Sequence, residues 1–274
     1  TEENVETMNE YMQAFNQPVS TIELDQGTYA NTGFTQWGAS GLAVAWAEEN
    51  TRDSIFKAFK RKETFATSGP RIAVRFFGGY NLSSIDLNSD SLVSEAYKKG
   101  VTMGADLMND DNKTPEFIVW AQKDKNGAPL QRVQIVKGWM DSVSGRPYEK
   151  VYDVACSDGL EVDPLTNRCP DNGARVNISD CSIPQNIGSS ELKTVWQDPE
   201  FNSKDKSFYY VRVLENPTCR WSTWDAISRG FEAREDLHET IQERAWSSPI
   251  WYVPQKTGVE VIPLGGSIQL RSAD

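Results

Sequence analysis

Histidine is nearly absent: the 274 residues contain one, His238. Imidazole is the commonest metal ligand and the usual proton carrier near neutral pH. A single copy excludes a three-histidine zinc site, paired Glu-x-x-His di-iron motifs and an HExxH helix. A Ser-His-Asp triad would have to use His238. The nearest approach to a nucleophile elbow, Gly38-Ala39-Ser40-Gly41-Leu42, carries its second glycine one place too early. Glycine loops of the kinds that cradle phosphates are missing as well. Any chemistry performed by this chain alone has to rest on carboxylates.

Long apolar runs are also lacking. The longest, residues 42–47, falls far short of the ~20 residues that a membrane-spanning helix needs, so no membrane span is expected. The opening Thr1-Glu2-Glu3-Asn4 is acidic and lacks the apolar core of a signal peptide. Positive charge is the scarcer sign, with 28 Lys+Arg against 39 Asp+Glu and a net charge of -11. That balance argues against nucleic acid or an anionic membrane as the main partner, because both select for clustered Lys and Arg. The remaining composition, 38% hydrophobic and 24% charged, suits a folded chain with a core of its own.

Four cysteines lie between residues 156 and 219, and none are spaced C-x-x-C. A zinc ribbon or thioredoxin-type site is therefore not expected. An even number in one turn-rich region suggests two disulfides, hence an exported protein, periplasmic or extracellular. Three pairings are possible. We favour Cys156 with Cys169, closing a loop of Asp, Gly and Pro, and Cys181 with Cys219. The alternative is four buried thiols in a cytosolic protein.

Along the chain, residues 6–15 suit a short helix. Asn50 or Thr51 can cap a helix over about residues 52–62, with Ile55, Phe56 and Phe59 on one face and a basic last turn. Residues 72–77 read as a strand. Period-two alternation then marks strands around 117–121, 133–135 and 208–213, with further candidates at 150–155, 192–196 and 250–253. Residues 161–190 lack periodicity and read as a stapled loop. Residues 232–244 suggest an exposed acidic helix, and the tail after Pro254 an added strand or a loose end. The expected fold class is α+β, mainly β: an antiparallel β-sandwich-like region with a few packed helices.

Several ordered blocks carry a family resemblance. They are Trp37-Gly38-Ala39-Ser40-Gly41-Leu42 leading into residues 44–52, residues 61–72, Arg75-Phe76-Phe77-Gly78-Gly79, residues 130–139, residues 208–217 and residues 241–252. Together they resemble the C-terminal part of the bacterial family catalogued as domain of unknown function 3604. That family is similar to the PHP (polymerase and histidinol phosphatase) metallohydrolases. The resemblance implies an N-terminal barrel whose His- and Asp-rich blocks hold divalent metals that activate water against a phosphoester-type bond. Neither block is present in this sequence. Residues 1–80 are then expected to be the end of such a barrel, helix plus strand, and residues 81–274 a β-rich accessory domain with a disulfide-stapled loop. Zinc, manganese or iron is expected only with the missing N-terminal part, and no cofactor in this chain. The implied partner is that barrel or a second copy of the chain as a homo-oligomer. Residues around Trp37 to Phe59 should then leave an apolar patch that has to be buried by dimerisation or by the tail.

Glu49 and Arg52, with Glu48, are the candidate substrate-facing residues, Arg52 gripping an anionic group; the plainer reading is a charged helix start. Arg71 and Arg75 suit an anion or a solvated strand face. Trp139, Trp221, Trp224, Tyr209 and Tyr210 suit a carbohydrate platform or a core. Glu235 and His238 have the spacing of half a di-metal site, or of a soluble helix face. Asp110-Asp111 and Asp158 with Asp163 suit calcium or plain turns. Asn81, Asn112 and Asn177 open glycosylation sequons. The leading expectation is an accessory segment of an exported metal-dependent hydrolase. Its rivals are a stapled binding or assembly module without hydrolase activity and, last, a carboxylate-only enzyme such as a glycosidase.

Overall fold

The computed structural model describes residues 21–25, 27–30, 41–254, 259–264 and 267–272. The expected helix at residues 6–15, and Trp37 at the start of the expected patch, lie outside them. Along the chain come β1 (Thr21–Leu24), β2 (Gly27–Ala30), β3 (Leu42–Ala45), α1 (Arg52–Arg61), β4 (Thr64–Thr67) and β5 (Ala73–Gly79). A 3-10 turn at Leu82–Ser84 precedes α2 (Leu92–Lys99), β6 (Gly100–Thr102), β7 (Asp106–Met108), β8 (Glu116–Gln122), β9 (Leu130–Met140) and β10 (Pro147–Cys156). After a long loop follow β11 (Glu191–Gln197), β12 (Lys206–Glu215), β13 (Thr218–Cys219) and α3 (Trp221–Arg229). The last elements are β14 (Thr240–Ile241), β15 (Arg244–Ser247), β16 (Ile250–Val253), β17 (Val259–Leu264) and β18 (Ser267–Ser272).

Two sheets face each other. The larger runs β10-β9-β12-β15-β4-β3, with β16 also on β12 and β7 parallel to β16. The smaller runs β11-β8-β5-β6. Strands from both sides of residue 80 share each sheet, β4 pairing with β15 and β5 with β8. Alternation explains the layers. Phe117, Val119 and Ala121 of β8 turn inward with Val74 and Phe76 of β5, and meet Val133, Ile135, Tyr209, Val211 and Val213 of the larger sheet. The outward set on β8 and β5, Ile118 and Phe77, forms a second core beneath Leu82, Ile85, Leu92 and Ala96. The fold is mainly β with helices packed on it, as the alternation predicts.

Thr51 caps α1, its hydroxyl accepting from Ser54 N–H at 3.3 Å. Lys62, left-handed at φ 58°, ends the helix and turns the chain into β4. Both favoured disulfides are present: Cys156–Cys169 anchors the long loop to the end of β10, and Cys181–Cys219 ties it to β13.

The expected helix over 232–244 is not there. Long-range pairing wins over local propensity: Thr240–Ile241 join β13, and Arg244–Ser247 insert between β12 and β4. Two helices escaped the reading, α2 and α3. Each buries a short face, Leu92 and Ala96 in one, Thr223 and Ala226 in the other. Gly230 at φ 71° closes α3. The tail is a hairpin of β17 and β18.

Candidate functional site

Two neighbouring features stand out, an uncovered edge and a cleft. The edge is β3, the last strand of the larger sheet, which among the described residues is paired only with β4. Beside it α1 buries Ala58 but leaves Phe56 and Phe59 62% and 54% exposed, and Leu42 at the start of β3 is exposed too. Two phenylalanines one turn apart, next to an edge strand, form an apolar seam.

The cleft opens where β3 runs out toward α1. Its volume is about 160 Å³, and Trp46, Ala73, Val74, Arg75, Val93, Trp120 and Gln122 line it. Trp46 is fixed by donating its indole N–H to Val74 O at 2.8 Å. The Arg75 guanidinium lies 3.5 Å above the Trp46 ring. Behind it sits Glu63, buried at the α1–β4 junction. Its carboxylate pairs with Arg61 at 3.3 Å and Arg75 at 3.7 Å, and accepts from Thr102 at 3.2 Å and from the Tyr97 hydroxyl. Burial and that bond to Glu63 push the Tyr97 phenol up. Arg61 also pairs with Glu48 at 3.1 Å, so the network runs from the seam into the cleft.

Beside Arg75 on the same face of the sheet is Trp120, its cross-strand neighbour in the β5–β8 register. Its indole donates to Glu191 at 2.7 Å, and the Lys193 ammonium stacks on it at 4.6 Å. Burial works to raise the Glu191 carboxyl, but bonds from Lys193, Trp120 and Gln122 hold it below its ordinary value.

The expected residues divide. Glu49 and Arg52 are exposed at the start of α1, beside the seam. Glu48 reaches Arg61. Arg75 is half-buried in the cleft, whereas Arg71 is exposed and its backbone N–H binds Asp124 at 2.6 Å. The five aromatics do not form one platform: Tyr209 is core, Trp139 stacks on Tyr148, and Trp221 and Trp224 stand exposed on α3. Glu235 and His238 are exposed outside any helix. Asp110 and Asp163 accept from Lys113 and Leu165 in turns, and Asp158 accepts from Gly188 N–H across the long loop. Among the described residues no three His, Cys, Asp or Glu side chains converge on a position for a metal ion.

Sequence reasoning missed Glu63, Tyr97, Trp46 and Trp120. Trp120 carried a signal: it is the outward tryptophan of a strand whose inward set is Phe117, Val119 and Ala121.

A family model described as a protein of unknown function (DUF3604) matches residues 2–254. The chain belongs to this family. No curated protein and no solved structure matches it. For this family member, then, what the site does has to be argued from its own residues.

Proposed function

We propose that this chain is the accessory β-sandwich of an exported, PHP-like metal-dependent hydrolase, and that the seam of β3 and α1 packs against the metal-bearing barrel. The observation that carries the reading is the pair Phe56 and Phe59, exposed on a helix that lies beside an edge strand whose outer side has no partner among the described residues. A free strand edge and an apolar helix face are complementary to another layer of strand and helix. Glu49 and Arg52 would stand at the rim of that junction and contribute one wall of the substrate pocket. Zinc, manganese or iron would be held by the barrel, and the described residues supply no ligand set for it. Two disulfides suit a compartment outside the cytoplasm.

The test uses a His-rich barrel of the family made as a separate polypeptide. It should bind this chain, and Phe56→Ser with Phe59→Ser should weaken binding about a hundred-fold or more, since each buried phenylalanine contributes about 1.5–3 kcal/mol. Both side chains are exposed, so the double variant should remain folded. Stoichiometric, tightly held metal on the isolated chain would overturn the reading, as would barrel binding that ignores the double substitution.

A second reading has its own observation. Trp221, Trp224 and Trp251 are 43%, 51% and 45% exposed. Aromatics so placed suit a stapled binding or assembly module without hydrolase activity. Self-association that depends on these tryptophans, with no affinity for the barrel, would favour it.

A further inference from the structure

The cleft between Trp46 and Trp120 has a recognition geometry that the docking seam does not explain. Arg75 offers two edges. Its Nη1 is engaged inside the protein, donating to Tyr97 Oη at 2.9 Å and lying 3.7 Å from Glu63. Its Nε and Nη2 have no acceptor among the described residues. Those two N–H groups are parallel and about one carboxylate width apart, the edge that grips a carboxylate with two bonds. Stacking on Trp46 and the bond to Tyr97 fix the guanidinium before any ligand arrives, so little side-chain freedom remains to be lost.

The carboxylates around it leave that edge open. Glu63 is shared between Arg75 and Arg61 and meets Arg75 on its Nη1 side, away from the Nε–Nη2 edge. Glu191, the other carboxylate near the cleft, is paired with Lys193 at 2.9 Å. Glu48 is spent on Arg61. The rest of the lining is apolar or aromatic: Ala73, Val74, Val93 and two indoles, with the Gln122 amide at the rim. A space of about 160 Å³ admits one six-membered ring and little more.

We propose that this cleft binds a carboxylate carried on a single six-membered ring, the carboxylate on the Nε–Nη2 edge of Arg75 and the ring against Trp46 and Trp120. Two sources share that chemistry, a uronic acid sugar and an aromatic acid. Neither requires the barrel, so this inference and the proposed function stand or fall separately.

The experiment titrates the intact chain with glucuronate, benzoate and, as the neutral counterpart, glucose. Binding is read by calorimetry and by the indole N–H signals of Trp46 and Trp120, assigned with W46F and W120F. Saturable binding of glucuronate alone supports the inference and identifies a sugar acid; benzoate alone identifies an aromatic acid; both leave the shared chemistry as the determinant. Arg75→Gln should weaken binding about ten-fold or more, as expected for a charged hydrogen-bonded pair. Arg75→Lys, which keeps the charge and loses the fork, should weaken it nearly as much. Because Arg75 also contacts Glu63, the rim variant Gln122→Ala and the remote Arg71→Gln are run beside it. The first should weaken binding a few-fold and the second leave it unchanged. No saturation by either acid below about 10 mM, glucose binding as well as glucuronate, or a folded Arg75→Gln protein with full affinity would each overturn the inference.

Discussion

At the scale of single residues, the most unusual group is Glu215. It ends β12 with 1% of its surface exposed, and its Oε2 is buried with no hydrogen-bond partner among the described residues. Burial, then the nearby carboxylates of Glu243 and Asp124, push its carboxyl up to about 8, with Lys123 opposing them. The unfolded carboxyl titrates near its ordinary 4.5. Between those values the folded chain keeps a proton that the unfolded chain has released. The stabilisation is therefore fully present below 4.5 and is lost as pH rises through 8. Its ceiling is about 5 kcal/mol. Replacing Glu215 by Gln should flatten the fall in melting temperature between pH 5 and pH 9 and raise stability at pH 9. Parallel profiles for the two proteins would refute this. Nothing in the sequence marks Glu215: a glutamate before Asn216-Pro217 looks like the polar end of a strand, and only the approach of the turn at residues 124–127 and of Gln242 and Glu243 makes it costly to ionise.

Elements show where local signals suffice. The strands of the two faces were legible because inward and outward residues differ in kind, Val119 and Phe117 against Trp120 and Lys193. α1 was legible because Thr51 opens it and Lys60-Arg61 close it. The segment at 232–244 was misread because its acidic side chains suit a helix, while its partners, β12 and β13, lie well upstream and leave no local trace. The cleft was half legible for the same reason. Arg75 and Arg71 looked alike on paper, and only β5's pairing with β8 sets one against Trp120.

The seating of α1 was invisible altogether. Gly104, at φ +88°, lies against the left-handed cap Lys62, and a Cβ there would come 2.2 Å from the Lys62 carbonyl oxygen. Backbone cannot swing aside as a side-chain tip can. Gly104→Ala should destabilise the protein by about 2–4 kcal/mol, combining left-handed strain with overpacking. Denaturant unfolding measures it. Loss below about 0.5 kcal/mol would mean that α1 is not held against this loop.

For the whole molecule, the antiparallel register gathers the ends of β8, β10 and β12 at one pole of the sandwich, where both disulfides sit. The two bridges should not contribute equally. Cys181–Cys219 spans 38 residues and Cys156–Cys169 spans 13. Loop-closure entropy alone assigns about 4 and about 3 kcal/mol to them. The shorter loop has a second anchor: Asp153, buried on β10, accepts from Cys169 N–H at 2.8 Å and pairs with Arg168 at 3.3 Å. That carboxylate keeps the loop near its strand after the bridge is cut, so the entropic loss is cushioned. Replacing Cys181 and Cys219 by Ser should therefore lower the denaturant midpoint more than replacing Cys156 and Cys169. The core common to both sheets contains none of the four cysteines, so either pair of substitutions should leave the β-sheet circular dichroism intact at low temperature. The reverse order of midpoints would show that Asp153 does not hold the loop. Loss of sheet structure in either variant would show that the core cannot stand without its staples.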